Sequence, residues 1–86
     1  MKDKRAGSIG EVDLSGLKFP IIVIYRHPDD YPEQYVARVF DITQPTDTVI
    51  VRDSLHELQK DISRNVAKDF MPRDERDAPC IVGSWV

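Results

Sequence analysis

One stretch of this 86-residue sequence has the apolar periodicity of a helix, and it limits how the other apolar residues can be buried. In DSLHELQKDISRNVAKDF the apolar positions recur at spacings of three and four, and so share one helix face: Leu55, Leu58, Ile62, Val66 and Phe70. Ser54 and Glu57 have the spacing of a capping box. The helix must end before Pro72, because the residue preceding a proline avoids helical dihedrals. The sequence therefore predicts a single amphipathic helix.

Four other segments are predicted to be strands, because they are short, rich in β-branched residues and bounded by turn residues. They are FPIIVIY, QYVARVFDI, TVIVR and CIVGSWV, at residues 19–25, 34–42, 48–52 and 80–86. The turn-forming segments RHPDDYPE and TQPTD favour hairpins between the first three strands. The helix then favours a crossover that brings the fourth strand beside the first and parallel to it. We expect an α+β fold, β-β-β-α-β, with a four-stranded, mainly antiparallel sheet in the order 3-2-1-4 and one helix packed on one face.

The N-terminal segment 1–16 differs in composition from the rest of the chain. It mixes charged residues, glycine and serine with scattered Ile9, Val12 and Leu14, which are too few to form a packed face. We predict a flexible N-terminal arm at 1–16, followed by a single α+β domain at 17–86. A short strand at Val12 to Leu14 is the alternative, because these two residues alternate with polar neighbours.

Charge and cysteine content exclude several classes of protein. The formal net charge of −3 argues against nucleic acid as a partner, because phosphate binding requires clustered lysine and arginine. Cys80 is the single cysteine, so no disulfide can form within the chain. No stretch approaches the roughly 18 apolar residues that a membrane helix needs, and the N-terminus has no apolar signal-peptide core. We expect a cytoplasmic protein without membrane contact.

The predicted strands are apolar on both faces, yet one helix can cover only one face of the sheet. If Ile22 and Ile24 point to the helix, then Ile21, Val23 and Tyr25 point away from it. Left exposed, such residues would form a contiguous apolar patch, which monomeric proteins rarely present. We therefore expect a homo-oligomer built on the open sheet face or on the free edge of the last strand. Coverage of that face by the N-terminal arm is the alternative.

The last strand adds two candidates to this interface. By alternation, Ile81 and Trp85 share one face, and Gly83 allows a bulge or a close backbone approach. We also expect that a protein partner can use the surface, and we expect no cofactor and no catalytic residue. The candidate interface residues are Ile21, Val23, Tyr25, Ile81 and Trp85.

The alternative function is a small metal-dependent hydrolase, located where the loop after the first strand meets the start of the helix. Its candidate metal ligands are His27, Asp29 and His56, because imidazole and carboxylate groups bind divalent metals and transfer protons. No metal-binding spacing such as His-Glu-x-x-His joins them, and turn formation already accounts for the loop residues. A third hypothesis, base stacking on the aromatic residues of the sheet, is opposed by the scarcity of basic residues on the strands.

The chain also resembles a known family. A Tyr-x-Ala pair lies on the second strand, an aspartate follows it, and a Ser-x-x-Glu starts the helix: Tyr35, Ala37, Asp41, Ser54 and Glu57. In this order of elements the chain resembles the HicB-like antitoxin domain, a small bacterial β-β-β-α-β module with a partial ribonuclease H fold. The resemblance implies a similar fold and association through sheets. It does not imply toxin neutralisation, and it does not imply ribonuclease catalysis, because the run IIVIY contains no carboxylate.

Overall fold

The computed structural model describes residues 3–66, 69–73 and 79–86. In these ranges the chain forms six strands, one α-helix and a short 3-10 helix at Ile9–Glu11. No helix in these ranges combines the length and the apolar character needed to cross a membrane. In chain order the elements are β1 (Lys4–Arg5), β2 (Pro20–Arg26), β3 (Tyr35–Asp41), β4 (Gln44–Arg52), α1 (Leu55–Asn65), β5 (Phe70–Pro72) and β6 (Ile81–Trp85).

The strands form one mixed sheet of six strands, so the prediction of a four-stranded sheet in the order 3-2-1-4 is wrong. The order is β1-β4-β3-β2-β6-β5, with β1 parallel to β4 and every other neighbouring pair antiparallel. The two edge strands, β1 and β5, are only two and three residues long. Two or three residues cannot show the alternation of apolar and polar residues by which strands are recognised in a sequence.

The last strand also runs in the direction opposite to the predicted one. β6 is antiparallel to β2, with Trp85 opposite Ile22 and Ser84 opposite Val23. After α1 the chain first runs along the edge of the sheet as β5, and β5 pairs antiparallel with β6. This additional passage reverses the direction in which the chain enters β6.

The helix begins where the sequence predicts but ends earlier. Ser54 has extended backbone, and its hydroxyl accepts a hydrogen bond from the amide of Glu57, which caps the first turn. Val66 is already extended, with φ −127° and ψ 136°. Phe70, which the periodicity assigned to the helix, lies in β5 and packs against Trp85 with 4.6 Å between ring centroids. Its spacing fits the helical stripe, although it lies in a strand and stays partly exposed beside the buried Trp85.

The hairpin between β3 and β4 turns earlier than predicted. TQPTD was expected to be the turn, but Gln44 already pairs with Asp41, so the loop consists of Ile42 and Thr43. Ile42 has a φ of 60°. Two-residue hairpins usually place glycine, asparagine or aspartate at a position of positive φ. The sequence therefore carries no turn residue that would mark this loop.

The main core lies between α1 and one face of the sheet, which we call the helix face. Leu58 and Ile62 of α1 are fully buried, as are Ile22 and Ile24 of β2. Ile22 and Ile24 therefore point to the helix. The same core contains Ile9, Ala37, Val39, Ile50 and Trp85.

Residues 3–16, the described part of the predicted arm, begin at the sheet edge and continue beside α1. Ile9 joins the main core and is only 2% exposed. The Ser8 hydroxyl and the Ile9 amide donate hydrogen bonds to the two carboxylate oxygens of Asp61, at 2.5 and 2.8 Å. Val12 and Leu14, the alternative short strand, are not in a strand and pack against the same core. The domain boundary at residue 17 and the flexibility of the arm stay predictions.

Candidate functional site

The second face of the sheet, opposite the helix face, divides into two halves. On one half, Val36, Val49 and Val51 form a small separate core and are all buried. We call this the covered half. Beside it, residues from β2, β3 and β6 line a groove that is open to solvent, which we call the open groove. The two halves belong to one sheet and differ in whether the chain itself covers them.

The cover of the covered half comes from two distant parts of the chain. Tyr31, in the loop between β2 and β3, packs against the buried valines. Its hydroxyl donates a hydrogen bond to Asp3 Oδ2 at 3.3 Å, and the Arg5 guanidinium lies 5.9 Å from its ring centroid. The N-terminal segment and the β2–β3 loop therefore meet over this half of the face.

Arg38 stands at the boundary between the two halves and holds the cover in place. Its Nη2 is 3.0 Å from Asp3 Oδ1, and the two side chains are 18% and 14% exposed. Its Nη1 donates a hydrogen bond to the carbonyl of Thr46 at 2.9 Å, and Asp30 lies 3.9 Å away. Across the strand pair Arg38 lies opposite Val23, whose side chain lines the open groove. The charge of Arg38 is thus matched by Asp3 within the chain.

The open groove has a volume of about 330 Å³ and an uncharged lining. Six of its eight lining residues are aliphatic or aromatic, and the other two are a threonine and a serine. All eight are at least partly accessible to solvent. They are Ile21, Val23, Tyr25, Phe40, Ile42, Thr43, Ile81 and Ser84.

Two exposed apolar residues lie next to the open groove. Met71 of β5 pairs with Ser84, so both side chains lie on the same face of the sheet, and Met71 is 53% exposed. Phe19 is equally exposed and adjoins the β3–β4 turn, where its carbonyl accepts a hydrogen bond from the amide of Ile42 at 2.9 Å. The apolar surface therefore extends beyond the groove on both sides.

Tyr25 is the one titratable residue in the lining. Burial raises the pKa of its phenol above the ordinary value of 10.0, the nearby Arg38 charge lowers it by a smaller amount, and Cys80 raises it slightly. The phenol is therefore neutral at physiological pH. The open groove carries no charge under these conditions.

Four of the five predicted interface residues line the open groove: Ile21, Val23, Tyr25 and Ile81. Trp85 does not line it, because it is only 3% exposed and belongs to the core of the helix face. The structure thus brings together the four residues on the second face and separates Trp85 from them. Their role in an interface stays a prediction.

A bulge in β6 places Ile81 and Trp85 on opposite faces, against the expectation from alternation. Between Gly83 and Ile81 the pairing with β2 shifts by one residue. The extra residue, Val82, packs against the core of the helix face. A Cβ atom on Gly83 would overlap the ring of Phe70. The predicted bulge or close approach at Gly83 is thus confirmed, and the bulge changes the face on which Ile81 lies.

Four groove residues were not identified from sequence patterns: Phe40, Ile42, Thr43 and Ser84. Alternation along β3 places Phe40 on the face of Arg38, so this pattern contained the necessary signal. Ile42 and Thr43 reach the groove through an unmarked turn, and Ser84 through the register of β6 after the bulge. These three have no local signal.

The candidate metal ligands are occupied by other contacts or exposed. His27 Nδ1 lies 2.8 Å from the carbonyl of Pro32, and its ring is edge-on to Tyr35 with 5.0 Å between centroids. Asp29 and His56 are exposed. Within the described residues, histidine, cysteine, aspartate and glutamate side chains form no group of three or more that could hold a metal ion. The metal site and the hydrolase stay predictions.

A second depression, of about 380 Å³, lies beside the β2–β3 loop and is acidic. Its lining includes Asp30, Glu33 and Asp53, together with Tyr31, Pro32 and Gln34. Gln34 Nε2 donates a hydrogen bond to Asp53 Oδ1 at 3.0 Å, which ties the loop to the start of α1. Carboxylates in and beside a turn and a helix start have structural roles. The open groove is the better candidate site, because burial of its apolar lining would be favourable.

Comparisons with protein-family models, with curated proteins and with solved structures found no match for this chain. The resemblance to the HicB-like antitoxin domain therefore stays a prediction.

Proposed function

We propose that this protein is a non-catalytic association module that forms a homodimer through the open groove. The observation that supports this proposal is the contrast between the two halves of the second sheet face. The chain covers one half with its own residues and leaves an uncharged apolar groove of about 330 Å³ on the other. Contiguous apolar surfaces on soluble proteins commonly mark interaction sites.

The charge of the groove favours a second copy of this chain as the partner. None of the eight lining residues is charged, so two copies can meet without placing like charges opposite each other. The charge of Arg38, at the boundary, is matched by Asp3 of the same copy. A strongly basic or acidic partner segment would find no opposite charge in this groove.

The groove also offers enough apolar surface for a stable pair. Each copy contributes six aliphatic or aromatic side chains, and full burial of one such side chain is worth roughly 1.5 to 3 kcal/mol. Association costs an estimated 4 to 15 kcal/mol in lost translational and rotational freedom. Partial burial of twelve side chains offsets a cost of this size. The two sheets would pack about 10 Å apart with interdigitating side chains.

A protein partner other than a second copy would use the same surface and would compete with the homodimer. Association through sheets is also what the resemblance to the HicB-like antitoxin domain implies. A single surface would thus serve both self-association and partner binding.

The test is the mass of the protein in solution, measured by sedimentation equilibrium up to about 100 µM. We expect the wild-type chain, of 9.9 kDa, to sediment with twice its monomer mass. Val23→Glu, in the groove, should be monomeric, whereas the matched control Ser63→Glu, exposed on α1, should dimerise like the wild type. Circular dichroism checks that both variants are folded. A wild-type monomer at the highest concentration would overturn the proposal.

A further inference from the structure

We infer that Ile42 of each copy inserts into the open groove of the other copy beside Ser84. The β3–β4 turn of one subunit then contacts β6 of its partner, twice in each dimer. This inference rests on the proposed homodimer and specifies which residues meet in it.

The backbone of Ile42 is the first observation behind the inference. Ile42 is the first residue of the two-residue β3–β4 turn and has a φ of 60°. A β-branched residue with positive φ is a backbone outlier, because its Cβ crowds the following carbonyl oxygen. Its side chain is 51% exposed, so contacts within its own chain offset little of this strain. Strain of this kind is concentrated at functional positions, where an additional contact compensates for it.

The shape of the groove is the second observation. Ser84 has the smallest side chain in the lining. In the sheet it is flanked by longer apolar residues, with Val23 opposite it on β2 and Met71 opposite it on β5. A small residue between longer neighbours forms a depression in the surface of a sheet. Such a depression accepts a branched aliphatic side chain from a facing sheet.

The positions of the two residues fit a two-fold symmetric contact. Ile42 follows β3 and Ser84 lies in β6, and β2 runs between these two strands. Ile42 is level with Phe19, to which it is hydrogen-bonded, and Ser84 lies opposite Val23, four residues further along. A two-fold axis that is parallel to the sheet and crosses β2 obliquely near Ile21 exchanges these two positions. In such a dimer the contact of residue i with residue j is repeated as j with i, so each Ile42 lies over Ser84 of the other copy.

Ile42→Gly tests the inference, because it should change fold stability and dimer stability in opposite directions. Glycine relieves the strain at φ 60°, so the urea midpoint of the monomer, measured at a concentration where the dimer has dissociated, should rise. Loss of the inserted side chain should raise the dimer dissociation constant by about 10- to 100-fold. Gln44→Gly, the matched control beside the same turn, is exposed and outside the groove lining, and should change the dissociation constant by less than about threefold. An unchanged dissociation constant for Ile42→Gly would overturn the inference.

Cysteine cross-linking tests the contact directly. In a Cys80→Ser background, an Ile42→Cys chain labelled with ¹⁵N is mixed with an unlabelled Ser84→Cys chain and oxidised. We expect a covalent dimer that contains one chain of each kind by mass spectrometry, and much less covalent dimer from either chain alone. If the wild type dimerises but the mixture gives no such species, this inference is wrong and the homodimer stands. A monomeric wild type would overturn both.

Discussion

The covered half and the open groove lie side by side on one sheet face, yet only one of them is closed by the chain itself. The valines of the covered half lie on β3 and β4, close to the edge where β1 pairs with β4. That pairing brings Asp3 within reach of Arg38 and Tyr31, which complete the cover. The groove extends toward β6, next to the three-residue edge strand β5, and no described segment crosses over it.

In this small domain, the connectivity of the chain determines which apolar surface is closed. In the described part of the chain, one α-helix and a short N-terminal segment are available to cover two sheet faces. The helix and Ile9 cover the first face, and Tyr31 with the Asp3–Arg38 pair covers half of the second. The remaining surface has no cover from the described residues and consists of side chains that a second subunit can bury favourably.

The largest expected effect comes from placing a carboxylate in each half. Val49→Asp should lower the free energy of unfolding by about 3 to 5 kcal/mol, because Val49 is fully buried and the cost of desolvating the new carboxylate exceeds its attraction to the neighbouring Arg38, which already pairs with Asp3. Val23→Asp, the matched change in the open groove, leaves its carboxylate accessible in the monomer and should cost less than about 1.5 kcal/mol. Urea unfolding of the two monomeric proteins measures both values. Equal losses would contradict the distinction between the halves.

Removing the aromatic cover should have an intermediate effect. Tyr31→Ala should lower the free energy of unfolding by about 1 to 2 kcal/mol, because it exposes the valine core to water. It should also create a second apolar patch, detectable as increased binding of a hydrophobic dye. Tyr31→Phe keeps the ring, loses only the hydrogen bond to Asp3, and should cost about 0.5 kcal/mol. If Tyr31→Phe lowers the free energy of unfolding as much as Tyr31→Ala does, then the hydrogen bond rather than the ring provides the stabilisation.

Breaking the ion pair at the boundary should have a smaller effect. Asp3→Asn should lower the free energy of unfolding by about 0.5 to 1 kcal/mol, because the Arg38 guanidinium loses its nearer charged partner and keeps only the longer contact with Asp30. Asp29→Asn removes the same charge from an exposed loop position and is the matched control. Thermal unfolding at low ionic strength compares the two variants. If both variants unfold alike, net charge rather than the pair explains the result.

The smallest expected effect is a pH dependence that originates in the open groove. The pKa of Tyr25 is raised in the folded state, first by burial, so the unfolded chain releases the phenolic proton at lower pH. The contribution of the neutral phenol to stability is complete below about pH 10 and is lost as the pH rises through the folded-state pKa. Tyr25→Phe should therefore flatten the loss of stability above pH 10. The dimer should shift the phenolate absorbance of Tyr25 to still higher pH, and an identical titration in monomer and dimer would place Tyr25 outside the interface.

Local sequence signals correctly predicted the features that depend on neighbouring residues. The start of the helix follows from Ser54 and Glu57, three residues apart, and the two faces of β2 follow from strict alternation. The early end of the helix was missed because Phe70 keeps the helical spacing while lying in a strand. The β3–β4 turn was missed because Ile42 occupies a position that normally carries a turn residue.

The apolar pattern of the sequence was enough to predict one helix facing a sheet with apolar residues on both sides. The division of the second side depends on tertiary contacts. The contacts responsible join residues far apart in the chain, such as Arg38 with Asp3 and β1 with β4. A two-residue strand and one ion pair are too short to show a periodicity in the sequence. Their stability comes from the sheet on which they pack. The same holds for the bulge at Gly83, which assigns Ile81 to the groove and Trp85 to the core.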